Sequence, residues 1–243
     1  MKNYLIGAVR PVSTTWGYWK TQEEEIKALE GHKKYEDMYK ISRASARQFL
    51  QGDWKELKFT APVLDARLYQ IAQWYVIKEL WHKEPCNILA MGADTLFIKP
   101  TEIFGQFHEM RMFNYTDPRN HEEFPNYFND DIRYYPADMN LEVWNIGERC
   151  MGEWFTHKEG GWAWGQLIHN YQFWSQGLTI EQALQPQLAW QAFALNKEHG
   201  DTWNGLPLEQ AQVMHFHGSR DSDSRVQAMT QLANQLGINI DNS

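Results

Sequence analysis

The stretch Cys86-Asn-Ile-Leu-Ala-Met-Gly-Ala-Asp-Thr-Leu-Phe-Ile-Lys-Pro100 constrains the fold more than any other. Its apolar run ahead of Gly92 reads as a strand buried on both faces, which belongs in a parallel sheet covered by helices. Thr95–Ile98 reads as a second short strand, ended by Pro100. Between the two sits a turn of small residues that holds one acid, Asp94. In open α/β sheets, ligands bind outside the carboxyl ends of strands, so Asp94 stands where a ligand is expected. A carboxylate there can hold a hard cation, and that cation can neutralise a diphosphate. The same residue could instead cap the amides of its own turn.

The rest of the chain supplies further α/β elements. Residues 4–9, YLIGAV, form a short apolar run and read as a buried first strand, ended by Arg10 and Pro11. Thr21-Gln-Glu-Glu24 matches a capping box, and one helix, or two broken at Gly31, should run from about 22 to 50. Residues 56–64 contain Pro62 and carry no clear period. Asp65 can cap a helix over 66–82, where Leu68, Ile71, Trp74 and Trp81 keep helical spacing until Pro85. Further strands are expected within 107–115, at Met139–Trp144 and at Val213–Phe216. Helices are expected over 162–175, 180–197 and 224–237, the last stopping at Gly237. Residues 116–131, with Pro118, Pro125 and several Asn and Asp, read as a long loop of the kind that shapes binding sites. No repeat, low-complexity segment or clear linker appears. One domain over 1–243 is the simplest account: a nucleotide-binding part to about residue 100, an acceptor part over about 101–220, and a C-terminal helix in 221–243.

Composition narrows the partners. A net charge of −8, with no run of five basic residues, argues against duplex DNA, whose phosphates need Lys and Arg, and leaves room for a local basic groove. The two cysteines fit neither a disulfide framework nor a zinc site. No apolar stretch approaches the length of a membrane span, and the N-terminal run lacks the apolar core of a signal peptide. A cytoplasmic protein is the expectation. Twelve Trp are many for a chain of 243 residues. Their polar tips need partners when buried, so they either fill a large core or line a cleft for a sugar-like ligand.

Two further clusters could carry chemistry. In His215-Phe-His217-Gly218-Ser219-Arg220, strand alternation puts His215 and His217 on one face. Imidazole suits a borderline metal such as manganese, Gly218 lets a backbone amide approach a phosphate, and Arg220 could pair with it. Two ordinary half-buried histidines would look the same. Gln187 and Gln191 are four apart on an expected helix and share a face, where amides read hydroxyls or merely face solvent.

In their order, these pieces resemble the GT-A glycosyltransferases, and more closely the glycogenin and galactosyltransferase-like retaining branch. ILAMGADTLFIKP at 88–100 is similar to the family's strand that runs into an Asp-x-Asp motif. HFHG at 215–218 matches its His-Phe-x-Gly motif. PQLAWQAFALN at 186–196 looks like its Asp-Gln helix. The resemblance implies an α/β, Rossmann-like GT-A domain with a mixed, mostly parallel sheet. It implies Asp94 and His215 as ligands of Mn2+ or Mg2+. It places Ala8, Val9 and Arg10 at the nucleotide base, and Gly92 and Ala93 along the motif. Gly218, Arg220 and Arg67 would meet the diphosphate, and Gln187 and Gln191 the sugar. Gly92 departs from the first acid of the motif and Pro186 from the acid of the Asp-Gln pair.

The implied activity is metal-assisted transfer of a hexose or pentose from a nucleoside diphosphate sugar, such as a UDP-sugar, to an acceptor hydroxyl, with retention of configuration. The acceptor would be a glycan, a protein or a small molecule. A degenerate domain that binds nucleotide-sugar or glycan without efficient turnover is the first alternative. A sugar-1-phosphate nucleotidyltransferase is the second, disfavoured because VRPVSTTWGYWK holds one glycine where those enzymes carry a Gly-rich loop.

Overall fold

The computed structural model describes residues 1–9, 22–60, 66–113, 124, 126, 128, 130–156, 164–184, 188, 190–191, 202–203, 206–216 and 222–240. Its first unit is β1 (Lys2–Val9), α1 (Gln22–Phe49) and β2 (Lys55–Thr60). Then come α2 (Ala66–Lys83), β3 (Cys86–Gly92) and β4 (Thr95–Phe97). The strands β5 (Arg111–Met112) and β6 (Ile132–Tyr135) precede the helices α3 (Leu141–Thr156) and α4 (Trp164–Trp174). Four short strands follow: β7 (Trp190–Gln191), β8 (Thr202–Trp203), β9 (Leu206–Pro207) and β10 (Val213–His215), with α5 (Ser222–Gln235) after them.

The main sheet has the order β2-β1-β3-β6-β5. β1 runs parallel to both β2 and β3, while β6 is antiparallel to β3 and to β5. The sheet is mixed, as expected of the fold, with its β2-β1-β3 half parallel and β6 and β5 antiparallel. A second sheet, β4-β10-β7, stands where β3 ends, and β8 and β9 pair as a hairpin. Strand alternation feeds two cores. Tyr4, Ile6, Ile88 and Ala90 pack with Ile71, Trp74 and Ile77 of α2, Val143 and Trp144 of α3, and Phe173 of α4. Leu5, Leu89, Met91 and Ile132 pack on the other side with Ala46 and Leu50 at the end of α1. A third core joins Met38 and Ile41 of α1 to Leu96, Met214, and Met229 and Ala233 of α5.

Three tryptophans resolve toward core. Trp74 and Trp144 are fully buried, with ring centroids 5.6 Å apart. Trp74 Nε1 donates to Gln172 Oε1 at 3.1 Å, and Trp81 Nε1 to the Pro136 carbonyl at 2.8 Å. The polar tips of Trp74 and Trp81 are thus satisfied internally, while Trp144 Nε1 is buried without a hydrogen-bond partner.

Several expectations are corrected. Met139–Trp144 is not a strand: α3 begins at Leu141, and Asn140 Oδ1 accepts from the Glu142 amide at 2.9 Å, ordering the first turn. Val143, Trp144, Gly147 and Met151 are buried while Leu141 is exposed, a helical period rather than a period of two. The helix expected over 180–197 is absent at both described ends. Ile180–Gln182 is one turn of 3₁₀ helix, and Trp190–Gln191 is a strand parallel to β10. Pro186 lies between them and cannot donate an amide to a helix. The 107–115 strand shrinks to Arg111–Met112, with Phe113 bridging Leu184. The unclear 56–64 segment contains β2, an edge strand along β1. The first helix runs unbroken through Gly31, where an added Cβ meets nothing within 4 Å. The capping residues Thr21 and Asp65, and most of the 116–131 loop, lie outside the described residues. Among the described residues, no helix is long and apolar enough to cross a membrane.

Candidate functional site

The site is built where β1 and β3 end side by side. Ala8 pairs in register with Gly92, so two of the residues expected at the nucleotide are direct neighbours on adjacent parallel strands. Val9 is buried, and Ala93 is buried in the turn. Thr95 Oγ1 donates to the Gly92 carbonyl at 2.8 Å, closing the turn around Asp94. β4 then leaves antiparallel to β10, with Thr95 opposite His215. The Phe216 amide donates to the Asp94 carbonyl at 2.8 Å. Two segments far apart in the chain are thereby locked together at the strand ends.

Three side chains meet there. His215 Nε2 lies 3.7 Å from Asp94 Oδ1 and 3.1 Å from Asp131 Oδ2. The His215 ring is fully buried and meets Phe113 edge to face, with centroids 5.8 Å apart. Arg225 of α5 donates from Nη1 to Asp94 Oδ2 at 2.8 Å and from Nη2 to the Tyr35 hydroxyl of α1 at 3.1 Å. Burial alone would lower the His215 pKa. The carboxylates of Asp131 and Asp94 more than reverse that and hold it up at about 9. Burial also works against the Arg225 charge, and Asp94 together with Tyr35 more than offsets it. Two carboxylates are thus balanced by an imidazolium and a guanidinium. Among the described residues, no group of three or more His, Cys, Asp or Glu stands ready to hold a metal ion. Asp94 is instead engaged by Arg225.

Of the residues anticipated from sequence, the structure brings together Ala8, Val9, Gly92, Ala93, Asp94 and His215. Gln191 pairs in register with His215 through the β7–β10 backbone. That corrects its expected helical setting, and with it the shared helix face with Gln187. Arg67 lies in the first turn of α2. Arg10, Gln187, His217, Gly218 and Arg220 lie outside the described residues. Sequence reasoning missed Asp131, Arg225 and Tyr35. Asp131 sits in an Asn- and Asp-rich segment read only as loop, and Arg225 on a helix read only as terminal.

A separate buried cluster lies one residue away. Asp130 Oδ2 accepts from Arg133 Nη1 at 2.9 Å and from His169 Nδ1 at 2.8 Å. Arg133 can only donate, so the Nδ1 proton of His169 goes to the carboxylate. Burial, then the Arg133 charge, push the His169 pKa down to about 4. This cluster fixes β6 to α4 and does not touch the residues around Asp94 in any described contact.

No family model matches the sequence, and no curated protein matches it. Among solved structures, the fold is similar to a glycosyltransferase involved in the glycosylation of the major capsid of PBCV-1. That likeness has a TM-score of 0.53 at 12% identity and covers 95% of this chain and 100% of the other. The chain has the GT-A fold. The likeness extends to the apo-form glycosyltransferase GlyE of Streptococcus pneumoniae, at 10% identity and a TM-score of 0.49, over 96% of this chain and 62% of that one. It extends also to the galactosyltransferase LgtC, solved with donor and acceptor sugar analogs, at 11% identity and a TM-score of 0.46, over 97% and 96%. On this GT-A frame, the ends of the inner strands β1 and β3, the start of β4 and the end of β10 gather Asp94 and His215.

Proposed function

We propose that this chain is a glycosyltransferase that moves a sugar from a nucleoside diphosphate sugar, a UDP-sugar first among the donors, to an acceptor hydroxyl. The observation that carries the reading is the meeting of Asp94 and His215, 3.7 Å apart, beyond the ends of parallel strands on a GT-A frame. The donor types suit a divalent cation, although among the described residues no group of three or more is assembled to hold one. A carboxylate and an imidazole suit Mn2+, and Mg2+ more weakly, while the Arg225 guanidinium already acts as a cation against Asp94. Asp94 and His215 would hold the metal. Such an ion, when bound, stabilises the charge that develops on a departing diphosphate.

In the transfer, the bond from the sugar's anomeric carbon to the diphosphate breaks and a bond from the acceptor oxygen forms. The acceptor proton passes to a phosphate oxygen of the leaving group on the same face. This route retains configuration and needs no protein nucleophile. Ala8, Val9 and Arg10 would bind the base. Arg67, Gly92, Ala93, Gly218 and Arg220 would line the diphosphate, and Gln187 and Gln191 would read sugar hydroxyls. The acceptor would be a glycan, a protein or a small molecule, met in the cytoplasm. A second reading, binding without efficient turnover, is favoured by one observation: Gly92 brings no acid to the turn, and Asp94 is already paired.

A thermal-shift series of nucleoside diphosphates and their sugars, with and without Mn2+, tests the reading on wild type and His215→Ala. A ligand at a hundred times its dissociation constant adds about 2.7 kcal/mol. A Mn2+-dependent shift with one nucleotide, lost in the variant, supports the site. Release of diphosphate with an acceptor present then separates turnover from binding. No shift with any nucleotide sinks both readings.

A further inference from the structure

We infer that α4 sets the acceptor side of the site: Asn170, with Trp174 and His169, holds the path of the chain into β6, so that the Asp131 carboxylate receives a hydroxyl of a neutral saccharide acceptor. The inference rests on the sugar-transfer reading above and adds to it the acceptor class and the residues that place it.

The first observation is a clamp. Asn170 is fully buried. The Phe128 amide donates to Asn170 Oδ1 at 2.8 Å, and Asn170 Nδ2 donates to the Phe128 carbonyl at 2.8 Å. Nδ2 donates also to the Gln166 carbonyl at 2.8 Å. A side-chain amide carries the same donor and acceptor as a peptide, so Asn170 does for Phe128 what a strand neighbour does. One turn further along α4, Trp174 Nε1 donates to the Asn126 carbonyl at 2.9 Å, and its ring stacks on Phe128 with centroids 5.4 Å apart. One residue before Asn170, His169 holds the Asp130 carboxylate. The alternate residues Asn126, Phe128 and Asp130 are thus each tied to α4.

The second observation is direction. In an extended chain successive side chains point to opposite sides. Asp130 turns to α4, and Asp131 turns the other way, with Oδ2 3.1 Å from His215 Nε2. The Gly92 amide donates to the Asp131 carbonyl at 2.8 Å, which pins the same residue to the end of β3. The Asp131 side chain is 33% exposed while His215 is buried, so this carboxylate borders solvent. The third is place. Under the sugar-transfer reading the donor's base lies at the end of β1, and β6 lies on the far side of β3 from β1. The second substrate comes to that far side. A carboxylate takes strong hydrogen bonds from hydroxyls and repels a phosphate or another carboxylate, so the acceptor it suits is a neutral saccharide.

Saturation-transfer NMR titrations with UDP present test this, using glucose, galactose, maltose and lactose, with hexose phosphates as the charged counterparts. UDP affinity is measured on the same proteins by calorimetry. The proteins are wild type, Asp131→Ala, Asn170→Leu and Trp174→Phe. Trp174→Phe keeps a ring against Phe128 and removes only the indole donor, so it reads the clamp should Asn170→Leu not fold. The expected result is that a neutral saccharide binds more tightly than the phosphates. Asp131→Ala should weaken it about tenfold or more, as loss of a hydrogen bond to a charged group does. The two clamp variants should weaken it in the same direction, with UDP affinity unchanged in all three. Binding of no neutral saccharide, equal binding of the phosphates, or unchanged saccharide affinity in Asp131→Ala overturns the inference. UDP affinity that falls in step with saccharide affinity puts Asp131 on the donor and overturns it too. Unchanged saccharide affinity in folded clamp variants overturns the role of α4. Failure of the wild type to bind UDP overturns the sugar-transfer reading itself, and this inference with it.

Discussion

Arg225 Nη1 and Asp94 Oδ2 are 2.8 Å apart although the residues are separated by 131 positions in the chain. Both side chains are nearly buried, at 13% and 10% exposed. The contact ties the last helix to the turn that would receive a ligand. Removing one partner of a buried pair leaves the other uncompensated, which costs about 3 kcal/mol or more. Arg225→Met should therefore lower stability by about 3 kcal/mol in urea melts, through loss of one buried partner of Asp94. Under the proposed function the same variant leaves Asp94 open to a cation. Mn2+ with UDP should then recover more stability in Arg225→Met than it adds to wild type. A variant as stable as wild type would mean that the pair is a surface contact of little consequence.

Gly7 in β1 is a second point of close packing. A Cβ there would fall on Arg43 Nη2 and on the Tyr39 ring, and 2.7 Å from Arg43 Cζ. Arg43 is buried, lies 4.7 Å over the Tyr39 ring, and places Nε 3.5 Å from Glu56 Oε1, so it has little freedom to retreat. In an open strand, Gly→Ala would be neutral or better. Here Gly7→Ala should cost about 1–3 kcal/mol, as overpacking does. An equilibrium denaturation midpoint equal to wild type would show that Arg43 can turn away freely.

Gly147 makes the same argument in a helix, with two effects opposed. Alanine in mid-helix gains about 1 kcal/mol over glycine. Yet a Cβ at 147 would sit 2.5 Å from Trp74 Cζ2 and 3.0 Å from Gln172 Nε2, both fully buried. Gly147 is where α3 crosses close to α2 and α4. Gly147→Ala should be destabilising by about 1–2 kcal/mol net, because overpacking outweighs propensity. A raised melting temperature would mean that propensity wins.

These positions show what the sequence could and could not convey. β1, the α2 helix, β3 and the strand at Val213 were legible because each carries its own local pattern: an apolar run, a 3.6-residue spacing, a proline stop. Asp94 was legible because a lone acid followed a buried strand, and His215 because it sat in a short strand before Gly218. The 139–144 segment misled because Met139, Leu141 and Val143 also alternate. Only the exposure of Leu141 beside buried Val143 and Trp144 settles the period. Asp131 and Arg225 were hidden for a different reason. Their importance comes from the β3–β6 register and from α5 folding back on α1, and neither leaves a mark on neighbouring residues.

The Asp130–His169 pair yields the clearest pH dependence. His169 is fully buried, and its pKa falls to about 4 from an ordinary value of 6.5. Burial and the Arg133 charge keep the ring neutral in the folded protein, while in the unfolded chain it takes a proton near pH 6.5. As pH falls below that value the unfolded state binds more protons, so stability is complete above pH 6.5 and declines from there toward pH 4. The full loss across the window is about 3 kcal/mol, from a shift of roughly 2.5 units at 1.36 kcal/mol each. Asp130, held low by the His169 hydrogen bond and the Arg133 charge against its own burial, adds loss in the same direction at more acid pH. His169→Gln keeps an amide to donate toward Asp130 and has no proton to gain. Its stability, measured by urea melts from pH 4 to pH 7.5, should be flatter than wild type by about that amount. Parallel profiles for the two proteins would show that His169 titrates alike in the folded and unfolded states.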